Sequence, residues 1–552
     1  MRRAAGVAAA YLVASVLLTW PLVTVLGTRL GALAGPGDPY LNLWILGWGT
    51  QSWLRDPAGT LAGHAFDAPI FHPSPLTLTY SDHQLLQALL VTPIYAATAN
   101  LTLAYNVVLV MSLAASGIAM HVLARSVSGS TAAAFVAGLG WACWPYRTAH
   151  LPHLQLQALY FLPLALWALL RVAAARRWGD AMRAGLFAGG QAIVSAYYGI
   201  MTALALVVAA PIVGWTTGQW RARRYWTRIA GAGAVAALIV VPLAVPYVRS
   251  QVAEGFDRSA YEAASHAATL RSYAQVRPEN ALYGRTGWLV PRRPAPGERD
   301  LRLVEQQMFP GVVVLLLSVA GLVLGWGSDQ RSVVVVSTVL VGLGVWLSLG
   351  PDGPLGLYSA LARHVFGFAA IRAPARFGVM AMLGLCLLAA VGLSQVLRQP
   401  GTIWMRRPFL MPMIVIALMI AEYANTPLAF VEAPRTDTPV GRWLRDAPEP
   451  GAVLYWPVSL DRENTPYMIE ALQHGRPIVN GYSGRRPPGY AAVIESLSTL
   501  PAAEGLATLK ALNVRFVVAP VGWSAATAGA AFLQRAAFGE RAIFELRVDY
   551  RP

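Results

Sequence analysis

Charged residues are scarce in this 552-residue chain, and acidic residues are the scarcer kind, 27 against 43 basic ones. Only 13% of the residues are charged, about half of the share in an ordinary soluble domain, whereas 56% are hydrophobic. A chain of this length with so little charge cannot cover a soluble surface with polar side chains. The composition therefore excludes a wholly soluble protein and predicts a polytopic integral membrane protein with several helices long enough to cross a bilayer.

Cysteine is nearly absent, since the chain contains only Cys143 and Cys386, both within apolar segments. Two isolated cysteines offer neither the ligand spacing of a zinc site nor a disulfide framework. Common catalytic sequences are also missing: the chain has no Walker loop, dinucleotide fingerprint, HExxH motif or G-x-S-x-G motif. A nucleotide cofactor and a nucleotide-driven mechanism therefore have no support.

Lysine is equally rare, with Lys510 the only one, so the net charge of +16 comes almost wholly from arginine. The arginines cluster between hydrophobic segments, which favours contact with anionic membrane lipids over binding of nucleic acid. Three arginine-rich connections, at 171–183, 221–228 and 398–407, fall on one side of the predicted helices. The positive-inside rule assigns that side, together with the N-terminus, to the cytoplasm.

Eleven apolar segments have the character of membrane-spanning helices. They lie near 5–26, 104–124, 131–144, 156–174, 184–196, 199–216, 229–248, 309–326, 332–349, 378–397 and 409–423. The apolar segment 84–99 would break the alternation of sides as a span, so we expect it to lie in or re-enter the outer interface. The chain then ends outside the cytoplasm.

Two domains are predicted from the change in composition near residue 425. Residues 1–425 form a transmembrane domain with long external loops at 27–103, 249–308 and 350–377. After a proline-rich linker, residues 426–552 combine short strand-like runs with helical patterns, which predicts a small soluble α/β domain outside the membrane. The predicted fold class is mainly α, a polytopic transmembrane helical bundle with this extracytoplasmic domain at its C-terminus.

The first external loop contains two acidic candidates. Asp38 precedes aromatic residues at helical spacing, which predicts an interfacial helix, and an N-cap role competes there with a catalytic or metal-binding role. Asp82 follows Tyr80 and Ser81 and precedes His83. Ser81 or Asp82 would cap the next helix, whereas Asp82 and His83 together would bind a metal ion or a sugar hydroxyl. The residues alone leave both alternatives open.

Histidines and arginines of later loops form a second group of candidates. In the loop 145–155, His150 and His153 would share one face of a helix, a spacing that permits metal ligation or hydrogen bonds to phosphate or sugar. Arg372 and Arg376 precede the tenth predicted helix on the side where positive charge is disfavoured. Two guanidinium groups at this spacing are suited to clamp a phosphate, although snorkelling to the headgroups is the alternative.

Acidic side chains are absent from the interior of every predicted span, and Glu422 lies only at the outer end of the last one. Ion-coupled transporters usually need such a residue near mid-membrane, so the sequence counts against that class but leaves a lipid flippase open. Tyr197 and Tyr198 mark an external turn that belongs either to an aromatic belt or to a sugar-binding rim.

The order and sidedness of these motifs resemble the GT-C membrane glycosyltransferases and, more closely, bacterial YfhO-like and related uncharacterised membrane proteins. The resemblance covers about residues 1–425. It rests on Gly37-Asp38-Pro39, Tyr80-Ser81-Asp82-His83, Arg147 to His153, Ser195 to Gly199, and Arg372 to Arg376.

GT-C enzymes take a sugar from a polyprenyl phosphate on the outer face of the membrane. The resemblance therefore implies a glycosyltransferase in the bacterial cytoplasmic membrane, with a lipid-linked sugar donor and an envelope glycan, lipid or protein as acceptor. A transporter or flippase of a lipid-linked saccharide and a non-catalytic scaffold for envelope assembly are the alternatives.

The resemblance also assigns roles to residues. The first-loop acid of the family acts as a base or binds a metal ion, which implies Asp38 and Asp82 as catalytic residues and a divalent cation as a cofactor. Candidate metal ligands are Asp38, Asp82, His150 and His153. The implied substrate-binding residues are His83, Arg147, His150, His153, Tyr197, Tyr198, Arg372 and Arg376.

Overall fold

The structure, a computed structural model, describes residues 2–32, 35–255, 259–286, 289–290, 302–365, 367–400, 409–425, 428–524 and 531–547. The chain divides into two compact units. Unit 1 comprises residues 1–25, 107–242 and 257–429, and unit 2 comprises residues 26–106, 243–256 and 430–552. These compact units are not the two predicted domains, and the predicted domain boundary at residue 425 stays a prediction.

The described part of the chain is mainly helical. Up to residue 425 the helices are α1 (Arg2–Leu18), α2 (Gly37–Arg55), α3 (Pro57–Ala62), α4 (Leu85–Thr98), α5 (Leu101–Ser128), α6 (Thr131–Cys143), α7 (Pro145–Ala149), α8 (Leu154–Gln157), α9 (Phe161–Ala175), α10 (Trp178–Val194), α11 (Ala196–Thr216), α12 (Arg223–Glu254), α13 (Ala260–Ser265), α14 (Arg302–Glu305), α15 (Val312–Gly325), α16 (Arg331–Ser348), α17 (Leu357–His364), α18 (Gly378–Arg398) and α19 (Leu410–Tyr423).

A helix occupies the position of each predicted span, because long apolar runs satisfy their backbone groups internally as helices. Six helices among the described residues are long and apolar enough to cross a membrane. They lie within Leu101–Ser128, Leu154–Ala175, Ala196–Thr216, Arg223–Glu254, Arg331–Ser348 and Pro374–Arg398. Four shorter apolar helices accompany them. The polytopic helical fold class is thus confirmed, whereas the count of eleven spans and their sidedness stay predictions.

Helix α18 forms the centre of unit 1 and is buried along most of its length. Glycines bring its backbone close to α15 and α16. A Cβ atom added at Gly392 would overlap the carbonyl oxygen of Leu317, and one at Gly321 would overlap the carbonyl oxygen of Leu388. In a membrane the hydrophobic effect does not drive apolar helices together, so they associate largely through van der Waals packing. Small residues at these contacts allow the backbones to come close enough for such packing.

Unit 2 contains both sheets. Strands β1 (Arg29–Gly31) and β2 (Phe430–Glu432) form an antiparallel pair. The strands β3 (Ala452–Tyr455), β4 (Val514–Pro520), β5 (Phe532–Phe538) and β6 (Arg541–Leu546) form a sheet of order β3-β4-β6-β5. Strands β3 and β4 are parallel, and the other neighbours are antiparallel.

The described residues of the C-terminal part of unit 2 include four α-helices. They are α20 (Pro439–Asp446), α21 (Thr465–His474), α22 (Tyr490–Ser498) and α23 (Ala503–Ala511). Leu497 and Leu509, from α22 and α23, share a buried cluster with Val517 of the sheet. The predicted α/β character of this segment is therefore confirmed.

The close approach of α18 to α15 predicts a large effect of one added methyl group. Gly392→Ala should lower the free energy of unfolding by about 1–3 kcal/mol, because the two backbones must separate. Gly342→Ala in α16 is the matched control, since open space surrounds that position and alanine favours a helix by about 1 kcal/mol. Thermal unfolding of the purified proteins in detergent measures both, and equal stability of the Gly392→Ala protein and the wild type would contradict this packing.

Candidate functional site

A buried carboxylate, Glu305, organises a polar cluster in unit 1. The side chain lies at the end of α14, and the residue is only 5% exposed. Arg376 donates to Glu305 Oε1 from Nη2 at 3.0 Å and from Nε at 3.2 Å. The hydroxyl of Tyr146 donates to Oε2 at 2.7 Å. Both oxygens of the carboxylate therefore have a donor, as a buried charge requires.

The surroundings of Glu305 keep it ionised. Burial is the largest single influence and would raise the pKa of this carboxyl group, but Arg376 and the other neighbours together outweigh burial. His150 and the hydrogen bond from Tyr146 act in the same direction as Arg376, so the pKa of Glu305 is well below its usual range. The cluster thus contains a fixed anion at neutral pH.

His150 lies between two oxygen atoms that can only accept hydrogen bonds from it. Its Nδ1 is 2.9 Å from the carbonyl oxygen of Tyr146. Its Nε2 is 3.3 Å from Glu305 Oε2, without a hydrogen bond aligned between them. Burial lowers the pKa of His150, and the charge of Glu305 opposes that shift. Both ring nitrogens therefore face acceptors, and a neutral ring can donate to only one of them.

Hydrogen bonds from distant segments fix the backbone that carries Tyr146 and His150. The indole of Trp144 donates to the carbonyl oxygen of Phe309 at 3.0 Å. Arg277 donates to the carbonyl oxygen of Thr148 at 2.9 Å. The amide of Asn425 donates to the Thr148 hydroxyl at 3.1 Å. The loop is therefore held by three separate parts of unit 1.

Arg147 is almost wholly buried, and the structure gives its guanidinium only neutral acceptors. It donates to the carbonyl oxygen of Trp141 at 3.2 Å and to the carbonyl oxygen of Gln157. The hydroxyl of Ser116 accepts a further bond at 3.4 Å. Burial lowers the pKa of Arg147 to about 10. These contacts tie the two ends of the loop together, and the predicted substrate contact of Arg147 stays a prediction.

Several predicted binding residues of unit 1 do come together. Arg376 lies over the ring of Tyr197, 4.9 Å from its centroid, while it pairs with the carboxylate beside His150. The rings of His150 and His153 are 5.9 Å apart. Tyr198 is buried. Arg376, Tyr197, His150 and His153 therefore form one neighbourhood, although their role towards a substrate stays a prediction.

Arg372 differs from Arg376 in its surroundings. Its Nε lies 3.1 Å from Glu262 Oε1, and both side chains are about one-third exposed. Arg376, by contrast, is largely buried, and its partner Glu305 is buried. The two arginines of the predicted phosphate clamp thus have separate carboxylate partners and different access to solvent.

Glu305 and Tyr146 are absent from the predicted site residues. Their hydrogen bond joins positions 159 residues apart, and Arg376 is a further 71 residues along the chain from Glu305. Such contacts leave no local pattern. A signal did exist, because Glu305 stands a few residues before the predicted span 309–326, where an acidic side chain borders the membrane.

Asp38 belongs to unit 2, where it accepts a hydrogen bond from Tyr482. The distance from the Tyr482 hydroxyl to Asp38 Oδ1 is 3.1 Å. Helix α2 begins at Gly37, so Asp38 lies in the first turn and not at the predicted N-cap. The helix also buries most of its circumference, including Leu43 and Trp44, where one aromatic face was predicted. Asp38 itself is half-buried.

Asp82 and His83 lie in the same unit and are both buried. Gln84 occupies the N-cap of α4, so the predicted capping by Ser81 or Asp82 is wrong. His83 Nδ1 accepts a hydrogen bond from the backbone N–H of Leu85 at 3.1 Å. Burial lowers the pKa of His83 to about 4, which keeps the ring neutral. The predicted catalytic and binding roles of this pair stay predictions.

The predicted metal ligands do not form a set. Among the residues that the structure describes, no group of three His, Cys, Asp or Glu side chains is placed to hold a metal ion. Asp38 and Asp82 belong to unit 2, whereas His150 and His153 belong to unit 1. The described donors therefore do not fit a metal site, and the implied divalent cation stays a prediction.

The ion pair predicts strong coupling between its two members. Glu305→Gln or Arg376→Gln alone should cost about 3–5 kcal/mol of unfolding free energy, because each leaves an uncompensated buried charge. The double variant should be more stable than either single variant, since neither charge remains. Asp437→Asn, which breaks an exposed pair with Arg442, is the control and should change stability by about 1 kcal/mol or less.

The stability of the same variants should also depend on pH in a characteristic way. The pKa of Glu305 is lower in the folded than in the unfolded protein, so its contribution is complete above the usual pKa of about 4.3 and disappears as the pH falls further. The stability difference between wild type and Glu305→Gln, followed by unfolding across this range, should therefore shrink on acidification.

For the double variant, additive costs of the two single substitutions would show that Glu305 and Arg376 do not interact.

Comparison with known proteins places the fold. No protein-family model and no curated protein sequence matches the chain. Among solved structures, the chain is similar to the arabinofuranosyltransferase AftD from Mycobacteria, with a TM-score of 0.63 and 12% identity over 99% of this chain. It spans 40% of the length of AftD.

Two further similarities are weaker. The archaeal oligosaccharyltransferase AglB from Archaeoglobus fulgidus has a TM-score of 0.46 at 13% identity, over 94% of this chain and 70% of that one. ArnT from Cupriavidus metallidurans has a TM-score of 0.45 at 13% identity, over 97% of both chains. The closer resemblance to YfhO-like proteins stays a prediction. The chain shares its polytopic helical fold with AftD.

Proposed function

We propose that the protein is a membrane glycosyltransferase that moves a sugar from a polyprenyl-phosphate donor to an acceptor of the cell envelope. The acceptor would be a glycan, a lipid or a protein on the outer face of the cytoplasmic membrane. The fold shared with AftD, an arabinofuranosyltransferase, carries this proposal. The polar clusters around Glu305 and Asp38 contain carboxylate, arginine and histidine side chains that suit glycosyl transfer, but such side chains alone fit several functions.

Asp38 is the base in this proposal. The acceptor hydroxyl forms a bond to the anomeric carbon as the bond from that carbon to the phosphate oxygen breaks. The hydroxyl proton passes to the Asp38 carboxylate, and the lipid phosphate leaves with the bonding electrons. The position of Asp38 in the first turn of α2 supports this role, because the helix dipole stabilises an anion there.

Arg372 is the better of the two arginines for holding the lipid phosphate. Arg376 is committed to a buried carboxylate, and removing it from Glu305 would leave that charge unpaired. The pair between Arg372 and Glu262 is partly exposed, so a phosphate can replace the carboxylate at small cost. In this proposal Arg372 alone binds the phosphate, whereas Arg376 stays in its ion pair with Glu305.

The Asp38→Asn substitution tests the base. Asparagine keeps an oxygen that can accept from Tyr482, so the protein should fold normally. Transfer should fall by about a hundredfold or more, the usual contribution of a positioned general base. The assay measures sugar transfer from a polyprenyl-phosphate donor, alongside thermal unfolding of the purified variant.

Asp56→Asn is the matched control for this experiment. Asp56 caps α3 by accepting from the Gly59 N–H at 2.8 Å, and asparagine caps a helix as well as aspartate does. This control should transfer sugar at the wild-type rate. If the Asp38→Asn protein does so too, Asp38 is not the base, and the catalytic role passes to Asp82 or is lost.

The Arg372→Gln substitution tests the phosphate ligand. Loss of one charge-assisted hydrogen bond should weaken donor binding by about 1.5–3 kcal/mol, roughly ten- to a hundredfold in dissociation constant. Arg363→Gln is the control, because Arg363 is exposed and bonds only the Ser359 carbonyl oxygen. Titration with a polyprenyl-phosphate lipid gives both values. Equal affinities would reduce Arg372 to a headgroup contact.

A further inference from the structure

A short loop of the C-terminal segment, Gly481–Arg485, contacts three separate parts of unit 2. We call it the 481–485 loop. Its Tyr482 hydroxyl donates to Asp38 Oδ1 at 3.1 Å, across 444 residues of sequence. The proposed base therefore receives a hydrogen bond from a segment with no recognised catalytic motif.

The next residues of the loop bind the segment that contains Tyr80 and Ser81. The Ser483 and Ser81 hydroxyls share a hydrogen bond of 2.7 Å. The backbone N–H of Gly484 donates to the same Ser81 hydroxyl at 3.2 Å. One side chain of the first loop thus fixes two consecutive residues of the 481–485 loop.

Arg485 anchors the end of the loop. Its Nη1 donates to Glu254 Oε2 at 2.7 Å, and both side chains are largely buried. The Tyr80 hydroxyl donates to the other oxygen of Glu254 at 2.7 Å, and the Arg485 guanidinium lies 4.4 Å from the centre of the Tyr80 ring. A buried, multiply bonded ion pair of this kind fixes the backbone on either side of it.

Two glycines allow the loop to approach so closely. A Cβ atom at Gly481 would lie 2.5 Å from the ring of Phe71. A Cβ atom at Gly484 would lie 2.7 Å from the carbonyl oxygen of Tyr80. Any other residue would push the loop outward and with it the Tyr482 hydroxyl. The backbone, the neighbouring side chains and the ion pair therefore all place Tyr482 against Asp38.

We propose that Tyr482 is a positioning residue for Asp38, so that the C-terminal segment supplies part of the catalytic site. This inference rests on the proposed glycosyl transfer. A hydrogen bond to one carboxylate oxygen fixes the rotamer of Asp38, and with it the place where the acceptor proton is received. A base displaced by about 1 Å can lose a factor of up to roughly a hundred in rate. Binding of the donor does not involve this hydrogen bond.

Tyr482→Phe in the full-length protein tests the inference, because it removes one hydroxyl and keeps the ring. We expect kcat to fall by roughly ten- to a hundredfold, while KM for a polyprenyl-phosphate sugar stays within about twofold. Tyr40→Phe is the matched control. Tyr40 is on the same helix as Asp38, but its hydroxyl donates to the Glu432 carbonyl oxygen at 2.8 Å, so kcat should not change.

Two further variants separate positioning from a structural role. Tyr482→His keeps an aromatic ring with an N–H donor and should recover part of the lost kcat. Tyr482→Phe in the Asp38→Asn background should cause no further loss, because the hydroxyl acts through the carboxylate. A loss of the same size in both backgrounds, or a loss that follows thermal stability, would assign Tyr482 to the fold alone.

The outcomes distinguish the inference from the function on which it rests. A wild-type protein without transfer activity rejects the proposed function, and the role of Tyr482 falls with it. An active wild type with an unchanged kcat in Tyr482→Phe rejects the inference alone. A selective loss of kcat with rescue by histidine supports both.

Discussion

Burial of an ionised carboxylate is the constraint on which the loops of unit 1 depend. In a low-dielectric interior an unpaired Glu305 would cost several kcal/mol, so each segment that reaches it has to bring a donor or a cation. Arg376 arrives from the turn before α18, Tyr146 from the short helix α7, and His150 from the position that follows α7. The remaining contacts of α7 with distant backbone groups follow from this convergence, because they hold the donors in place.

Unit 2 solves a comparable problem with a hydroxyl and an ion pair. Asp38 accepts a hydrogen bond from the Tyr482 hydroxyl, whereas Glu254 accepts from both Tyr80 and Arg485. Each of these carboxylates thus has a donor from a distant segment of the chain. Exposure distinguishes the two arginines of unit 1, because Arg376 and its partner are largely buried whereas Arg372 and its partner are about one-third exposed.

Hydropathy made the helices of this protein predictable, because an apolar run of sufficient length has few alternatives to a helix in lipid. The C-terminal α/β segment was predictable for a similar reason, since its strands and helices have the expected local periods. The short motifs in the loops also pointed to Asp38, Arg376 and His150, each of which has a polar partner in the structure. Arg147 shows the limit of that reasoning, because a buried arginine bound to carbonyl oxygens has the same sequence appearance as a ligand arginine.

Which residues form hydrogen bonds with each other over long separations was not predictable from the sequence. Glu305 and Tyr482 meet their partners over separations of 159 and 444 residues, and no local periodicity encodes such contacts. The helix caps show the same limit at short range. Helix α4 begins at Leu85, so that Gln84 is its N-cap, and Ser81 instead bonds the 481–485 loop.

The long separation between Asp38 and Tyr482 has a consequence for biogenesis. A ribosome that has translated Asp38 must add 444 further residues before the hydroxyl donor exists. Throughout that time the nascent protein has its early helices but lacks the group that fixes the carboxylate. The order of synthesis therefore makes completion of the Asp38 environment a late event of assembly, so that a partly made chain in the membrane still lacks this hydrogen bond.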